Sequence, residues 1–191
     1  KEKRSFRQRV NGRYVFDRAD QWFDKWTYRA ALRYNFAEKA NIFISYGTGF
    51  KSGVFNSTGT SPAPVTPETI KAWEGGIKAE PLRWLRTNLS AFHYDYQDLQ
   101  VQARAADGVS YILQNAANAE IYGGEFELTA APTAMLDLRA SAAYTHGRYQ
   151  DFPAAQVFIP KATGGNTVTA ADVSGRQMIR TPEFSFNAGA D

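Results

Sequence analysis

The residues best suited to acid–base chemistry in this 191-residue sequence are two glutamates, Glu125 and Glu127. A pair of carboxyl groups can hydrolyse a glycosidic bond when they lie about 5–9.5 Å apart across a sugar-binding cleft. Residues two apart in a strand instead lie side by side on one face of a single wall. Asp137 and Arg139 on the next segment could pair with them, so we interpret the group as a polar wall. We predict no catalytic residue and no enzyme activity.

The two histidines, His93 and His146, are the next candidates, as metal ligands. They lie in different segments, and neither has a cysteine, histidine or carboxylate at the spacing of a metal site. The sequence contains no cysteine, which removes thiolate ligands, disulfides and thiol nucleophiles. We interpret both histidines as isolated polar residues of a wall or of its mouth, and predict no metal and no cofactor.

A glycine-rich run at residues 47–53 resembles a phosphate-binding loop only superficially. Such a loop ends in Gly-Lys-Ser/Thr and leads into a helix. Here Phe50 precedes Lys51, and the run continues into a segment of Ser, Thr, Gly and Pro that is typical of a loop. The sequence therefore predicts no nucleotide site.

Composition and charge exclude further classes of protein. The 22 basic and 19 acidic residues are scattered along the chain, so no basic run indicates a nucleic-acid partner. Aromatic residues make up 14%, mostly Phe and Tyr, which favours β-strands. No apolar run approaches the roughly 18 residues that a membrane-spanning helix needs.

The elements that carry these residues are two-faced strands, because apolar residues recur with period two. In residues 26–36 one parity is apolar and every charge falls on the other parity. Residues 122–130, 136–145 and 184–188 show the same split, which is typical of antiparallel strands with one polar face. Weaker strands are predicted at residues 4–16, 41–48, 68–79, 85–103 and 109–119, the last leading into the strand at 122.

The strand at residues 85–103 is irregular, because its apolar parity changes. Leu89 lies on one face, whereas Phe92 and Tyr94 lie on the other. We expect either a bulge near Ser90 or an aromatic end that faces a barrel mouth.

Short and long connections alternate between these strands. The short ones are residues 37–40, 80–84 and 131–134, and the longer ones are 17–24, 50–67, 104–108 and 150–180. This alternation places all tight turns at one end of a meander and all long loops at the other. Outer-membrane barrels have that asymmetry, with short periplasmic turns and long external loops. Strands of about ten residues are also long enough to cross a bilayer when tilted.

Five runs in the sequence resemble the barrel of TonB-dependent receptors, in the expected order over nearly the whole chain. The resemblance implies a large barrel of roughly 22 strands, closed by an amino-terminal plug and energised through TonB. We therefore interpret residues 1–191 as part of such a barrel domain, an all-β antiparallel meander of about eight strands. We expect the plug domain, the TonB-contacting segment and the terminal strands to be absent from this sequence. The five runs are residues 26–36, 44–56, 67–78, 92–100 and 115–127.

The same resemblance implies a function: an outer-membrane receptor that takes up a scarce nutrient, with a siderophore-type iron chelate as the first choice of ligand. Its partners would be that ligand, outer-membrane lipid, and the TonB complex through the missing amino-terminal part. Glu125, Glu127 and Arg139 are expected to face the barrel lumen. The ligand contacts expected on external loops are Lys51, Phe55, Arg148, Tyr149 and Arg176.

Two alternative functions stay open at this point. A soluble β-sandwich that binds carbohydrate or protein would bury Trp26, Leu32, Phe126 and Leu138 in a dry core about 10 Å thick. In a membrane barrel the same residues would face lipid and be exposed. A small passive pore or adhesin barrel shares the architecture of a receptor and differs only in energy coupling.

Overall fold

A computed structural model describes residues 1–10, 13–56, 63–104 and 111–191. All regular structure in these ranges is β-strand, and they contain no helix that is long and apolar enough to cross a membrane. The strands are β1 (Glu2–Val10), β2 (Arg13–Phe23), β3 (Arg29–Ala37), β4 (Ala40–Lys51), β5 (Glu68–Leu82), β6 (Leu85–Arg104), β7 (Tyr111–Thr133), β8 (Leu136–Asp151), β9 (Ala155–Pro160), β10 (Asn166–Ala171) and β11 (Phe184–Ala190).

Seven of the strands form one antiparallel sheet in the order β11-β8-β7-β6-β5-β4-β3. The three predicted tight turns connect β3 to β4, β5 to β6 and β7 to β8, where Ala37 pairs with Ala40, Leu82 with Leu85 and Thr133 with Leu136. The all-β antiparallel class is therefore confirmed. Neighbours in sequence are neighbours in the sheet, as expected of a meander with tight turns at one end.

The register of the sheet produces one apolar face and one polar face. One row of cross-strand partners crosses all seven strands and is entirely apolar: Tyr34, Ile42, Ile77, Leu89, Phe126, Ala142 and Phe186. The row one residue away on each strand is entirely polar: Asn35, Asn41, Lys78, Asn88, Glu127, Ser141 and Asn187. Because side chains alternate along a strand, the two rows project from opposite faces.

The apolar face is exposed rather than packed. Leu32 is 70% exposed, Phe126 40% and Phe186 76%, so no second sheet among the described residues covers them. This is the arrangement expected of a barrel wall in lipid, and it differs from the dry core of a β-sandwich.

The expected bulge near Ser90 is wrong, because β5 and β6 pair without a break from Thr87 to Gln97. Phe92 and Tyr94 instead lie on the polar face, where their rings stack with centroids 5.1 Å apart. The other expectation, an aromatic end that faces a barrel mouth, stays a prediction. The irregularity of β6 is at Asp98, which has a φ of 56° and lies in the first of two successive register shifts in the pairing with β7, between Tyr96 and Leu99. A bulge moves the following side chains to the opposite face, so Leu99 and Val101 now point toward the polar side.

The first connection differs from the prediction of one strand at residues 4–16 and a loop at 17–24. β1 and β2 form a hairpin of their own, with Glu2 opposite Phe23 and Val10 opposite Arg13. Charged residues of this hairpin pair with one another across and along the strands. Asp20 accepts bonds from Lys3 at 3.0 Å and Arg18 at 2.7 Å.

The long connection at residues 150–180 also contains regular structure, which the sequence analysis did not predict. β9 and β10 pair from Pro160–Asn166 to Ala155–Ala171. The chain reverses through Gly164 and Gly165, whose φ angles of 88° and 76° favour glycine. The expected connection at 104–108 lies largely outside the described residues.

A compact cluster lies where β6, β7 and β8 run toward the long connections. Ala117, Ala119, Tyr149, Phe152 and Ala155 are buried there, and Leu99, Val101, Val173 and Met178 pack against them. The bulge at Asp98 supplies Leu99 and Val101 to this cluster, so the end of the sheet becomes a platform for the connection at 150–180.

Candidate ligand-binding site

Three of the five expected ligand contacts come together at the end of β8. The backbone N–H of Tyr149 donates to the carbonyl of Arg176 at 3.0 Å, and the Arg148 guanidinium donates to the carbonyl of Gly175 at 2.9 Å. These bonds attach the segment between β10 and β11 to the sheet. Residues far apart in the sequence therefore reach one location.

A cavity of about 620 Å³ lies beside these bonds, and Tyr149 and Arg176 line it. Its walls come from the ends of β6 and β7, from β9 and from residues 173–180. We call it the loop cavity. The other residues of its lining that carry the following argument are Arg104, Arg180, Tyr111, Phe152, Phe158, Gln102 and Gln114.

Gln156 fixes β9 over this cavity. Its side-chain amide accepts from the backbone N–H of Arg104 at 2.5 Å and donates to the Arg104 carbonyl at 2.7 Å. A second attachment lies at Phe152, whose N–H donates to Ser174 Oγ at 2.9 Å and whose carbonyl accepts from Val173 at 3.0 Å. The connection is thus held at both ends of its hairpin.

Arg104 is the most distinctive side chain of the loop cavity. Its guanidinium lies 5.8 Å from the ring centroid of Tyr111, its cross-strand partner, and 5.6 Å from that of Phe158. Cations are attracted to the faces of aromatic rings at such distances. The Nε atom is buried and has no hydrogen-bond partner among the residues that the structure describes. A positive group is therefore positioned by rings rather than neutralised by an acid.

Two further arginines add to the positive charge. Arg180 lines the cavity with a φ of 58°, a left-handed conformation that is uncommon for a non-glycine residue. The side-chain amide of Gln177 donates to the Thr181 carbonyl at 2.6 Å, so this bond bridges the backbone segment that contains Arg180. Within the described ranges, Arg104, Arg176 and Arg180 form no ion pair, and the lining contains no Asp or Glu.

Lys51 and Phe55, the other two expected contacts, lie outside the loop cavity. Lys51 Nζ is 3.7 Å from Glu68 Oε2, and the Phe55 ring stacks on Phe6 at 5.4 Å. Gln100, only 8% exposed, ties this segment to β6 by donating to the carbonyls of Ser52 and Thr66. Their role as ligand contacts remains a prediction.

The acidic wall residues lie on the polar face, but their expected pairing is wrong. Asn88 donates to Glu127 at 3.0 Å, whereas Arg139 lies 3.9 Å from Asp191. The register explains this, because Ser141 stands opposite Glu127 and Arg139 stands opposite Thr129, one pair further along. Glu125 is opposite Ala143 and has no basic neighbour across β8.

The histidines are not isolated, which corrects the sequence interpretation. His93 Nε2 is 2.7 Å from Glu120 Oε1, and the ring of His146 stacks on Tyr122 at 4.8 Å. Strand pairing makes both contacts, since His93, Tyr122 and His146 share one row. No three His, Asp or Glu side chains in the described part of the chain could together hold a metal ion.

The row of cross-strand partners that contains His93, Tyr122 and His146 lies at one end of the apolar face. Tyr46 and Trp73 occupy the same row on β4 and β5, and their rings are 4.5 Å apart. The next row toward the long connections is charged and consists of Lys71, Asp95, Glu120 and Arg148. Aromatic residues followed by charges are typical of the boundary between hydrocarbon and lipid headgroups.

Several cavity residues were absent from the sequence analysis. Arg104 belongs to the connection expected at residues 104–108 and Tyr111 to the strand expected at 109–119, so the sequence did not indicate that the two pair. Phe158 and Gln156 gave no signal either, because they belong to a hairpin that was expected to be irregular loop.

Comparison with known proteins identifies the family. The sequence matches the profile described as TonB dependent receptor-like, beta-barrel, over residues 3–191. The ferric yersiniabactin uptake receptor FyuA from Yersinia pestis superposes with a TM-score of 0.64 at 14% identity, covering 97% of this chain and 32% of that one. The siderophore receptor PiuA from Acinetobacter baumannii gives 0.62 at 18% identity, covering 91% and 24%. The copper transporter OprC gives 0.50 at 17% identity, covering 63% and 20%.

These structures share the fold of the chain at low identity, and the chain spans about a third or less of their lengths. The family profile, in contrast, covers nearly every residue. The exposed apolar face, the alternating rows and the tight turns at one end of the sheet agree with it. The chain therefore belongs to the TonB-dependent receptor-like β-barrel family, whose members are β-barrel proteins of the outer membrane.

Proposed function

We propose that the protein is a receptor that imports a scarce nutrient across the outer membrane with energy supplied through TonB. The observation that carries the proposal is the pair of adjacent rows, one entirely apolar and one entirely polar, in a chain of this family. A wall of that kind separates hydrocarbon from a polar interior. The apolar row faces lipid in this proposal, and Glu125, Glu127 and Arg139 face the lumen.

The ligand would be met at the end of the sheet where the long connections gather. External loops of a barrel are the part that a solute in the medium reaches first. Tyr149 and Arg176 line one cavity there, Arg148 is bonded to Gly175 beside it, and Lys51 and Phe55 lie on the neighbouring connection. We propose all five as ligand contacts, Tyr149 and Arg176 through the loop cavity.

A siderophore-type iron chelate is the proposed ligand. FyuA, with which the chain shares its fold, is named as a ferric yersiniabactin uptake receptor and PiuA as a siderophore receptor, whereas OprC is named as a copper transporter. The positive lining of the loop cavity suits chelates that carry negative charge. The TonB complex would bind a part of the protein outside this sequence.

The test uses the full gene product in a deletion strain grown under iron limitation. Cells are given ⁵⁵Fe as catecholate, hydroxamate and citrate complexes, with TonB present or deleted. We expect accumulation of at least one complex that requires both the receptor and TonB. Accumulation that persists without TonB would identify a passive pore, and no receptor-dependent accumulation of any complex would exclude an iron chelate as the ligand.

A further inference from the structure

We propose that the loop cavity binds an anionic ligand that carries a planar conjugated group, such as an aromatic carboxylate or phenolate. This inference rests on the proposed receptor function, because it assigns the chemistry of the ligand to one site. It extends that function by naming Arg104, Tyr111 and Phe158 as the centre of the site.

The charge of the lining is the first argument. Arg104, Arg176 and Arg180 contribute three positive groups, and none is neutralised by an ion pair within the described residues. The remaining polar side chains are amides, including Gln102 and Gln114. An anion is attracted by such a lining, whereas a cation of the same shape is repelled.

The second argument is the arrangement around Arg104. Its guanidinium is held at 5.8 Å from the Tyr111 ring and 5.6 Å from the Phe158 ring, so its orientation is fixed before a ligand arrives. A guanidinium presents several N–H donors in one plane and matches the two oxygens of a carboxylate. The buried Nε donor, which has no acceptor among the described residues, is one of these groups.

The third argument is the apolar part of the cavity. Tyr111 and Phe158 supply ring surfaces next to the guanidinium, and Phe152 is a further ring of the lining. A planar conjugated ligand can stack on these rings while its acidic group meets Arg104. A compact anion such as phosphate would use the charge but leave the aromatic surface uncovered.

The backbone conformation at Arg180 indicates that the surrounding residues hold this arginine at the cavity. A left-handed non-glycine residue costs free energy and persists only where the surroundings enforce it. Here the bond from Gln177 to the Thr181 carbonyl encloses Arg180 and presents it at the cavity. Attachment of β9 by Gln156 keeps Phe158 opposite Arg104.

The experiment compares three probes of one shape and different charge: benzoate, benzamide and benzamidinium. Binding to the purified full gene product in detergent is followed by saturation-transfer NMR and competition. We expect benzoate to bind at least about tenfold more tightly than benzamide, since hydrogen bonds to charged groups are the stronger ones. Benzamidinium should show no saturable binding. Equal affinity for benzoate and benzamide would overturn the proposal on the unmodified protein alone.

Variants then locate the site. Arg104→Gln should weaken benzoate binding by about tenfold or more and leave benzamide unchanged, while Arg104→Lys should recover only part, because lysine lacks the planar fork. Phe158→Leu should weaken both benzoate and benzamide, since it removes stacking and keeps the charge. Arg33→Gln, on the polar face outside the cavity, is the matched control. Equal loss in Arg33→Gln and Arg104→Gln would refute the assignment to this cavity.

Uptake measured in the same strains separates this inference from the proposed function. If an iron complex accumulates in a TonB-dependent manner but the purified protein binds benzoate no more tightly than benzamide, the anionic site is refuted and the receptor function stands. If the purified protein prefers benzoate and Arg104→Gln loses that preference, but no iron complex accumulates in a TonB-dependent manner, the site stands and the receptor function is refuted. Folding of each variant is checked by heat-dependent migration on gels, and Phe158→Leu with the three probes decides the matter if Arg104→Gln does not fold.

Discussion

The ring of Phe92 on β6 lies over Gly123, its cross-strand partner on β7. A Cβ at Gly123 would come within 2.8 Å of Phe92 Cζ and would collide with the backbone carbonyl of Tyr144. The same relationship recurs between Phe43 and Gly76, where the added carbon would be 3.0 Å from the Phe43 ring. At these two positions a phenylalanine ring fits on the polar face because a glycine stands opposite it.

The first prediction follows from that contact. Gly123→Ala should destabilise the folded barrel by about 1–3 kcal/mol, because the obstructing Tyr144 carbonyl is backbone and cannot turn away. Gly47→Ala, at a position where the nearest atom is 3.7 Å from the added carbon, is the control and should cost less. Urea unfolding of the full gene product in lipid vesicles measures both. Equal midpoints would mean that the Phe92–Gly123 contact is looser than described.

The second prediction concerns the two faces. Ala140→Arg should lower folding into lipid by about 2–4 kcal/mol, because Ala140 stands between Leu128 and Ala188 on the apolar face. Ser141→Arg, one residue away on the polar face, should cost little. Folding yield in vesicles and heat-dependent gel migration compare the two variants. A larger effect at Ser141 would show that the faces are reversed.

The third prediction concerns the pKa of Asp20 in the β1–β2 hairpin. Arg18, then Ser5 and Lys3, hold the pKa of this carboxyl well below its ordinary value of 3.8. A carboxyl with a lowered pKa stabilises the folded hairpin above its unfolded pKa and loses that contribution as the pH falls through the folded value. We expect carbon-detected NMR titration to show Asp20 still ionised at pH 3.8, and Arg18→Gln to raise the pKa. Titration of Asp20 at or above its ordinary value in the unmodified protein would contradict the contact.

The fourth prediction tests the attachment of β9. Gln156→Ala removes two hydrogen bonds to the Arg104 backbone, each contributing about 0.5–1.5 kcal/mol. Hydrogen exchange across residues 155–171 should accelerate, while exchange in β4 and β5 should not change. Gln97→Ala, at an exposed glutamine of β6, is the control. Unchanged exchange in the hairpin would show that the bonds at Phe152 hold it without Gln156.

What the sequence could predict was local. Period-two alternation in residues 26–36 and 136–145 placed the apolar and polar faces correctly, because tight turns fix the register of neighbouring strands. The same alternation could not give the partner of Arg139, because which residues stand opposite each other depends on the register, and the pairing shifts at the turn between Ala130 and Thr133. Asp20 was placed in the loop expected at residues 17–24, whereas it pairs with Ser5 across the β1–β2 hairpin and accepts a bond from Lys3.

The candidate site was less accessible to prediction for a related reason. Arg148, Tyr149 and Arg176 were identified from their place on a long connection, yet Arg104 and Phe158 meet only after β9 folds back onto β6. Contacts of that kind depend on how a connection packs. No periodic pattern in the sequence records them.

The bulge at Asp98 divides β6 into two parts, in which substitutions are constrained by different surroundings. Before it, every substitution on β6 is constrained by lipid on one side and water on the other. Beyond it, the alternation is reset, and Leu99, Val101 and Arg104 serve the cavity and its supporting cluster instead of the bilayer. We therefore expect the residues of β6 after Asp98 to tolerate replacement without loss of membrane insertion, and such replacements to alter the lining of the loop cavity.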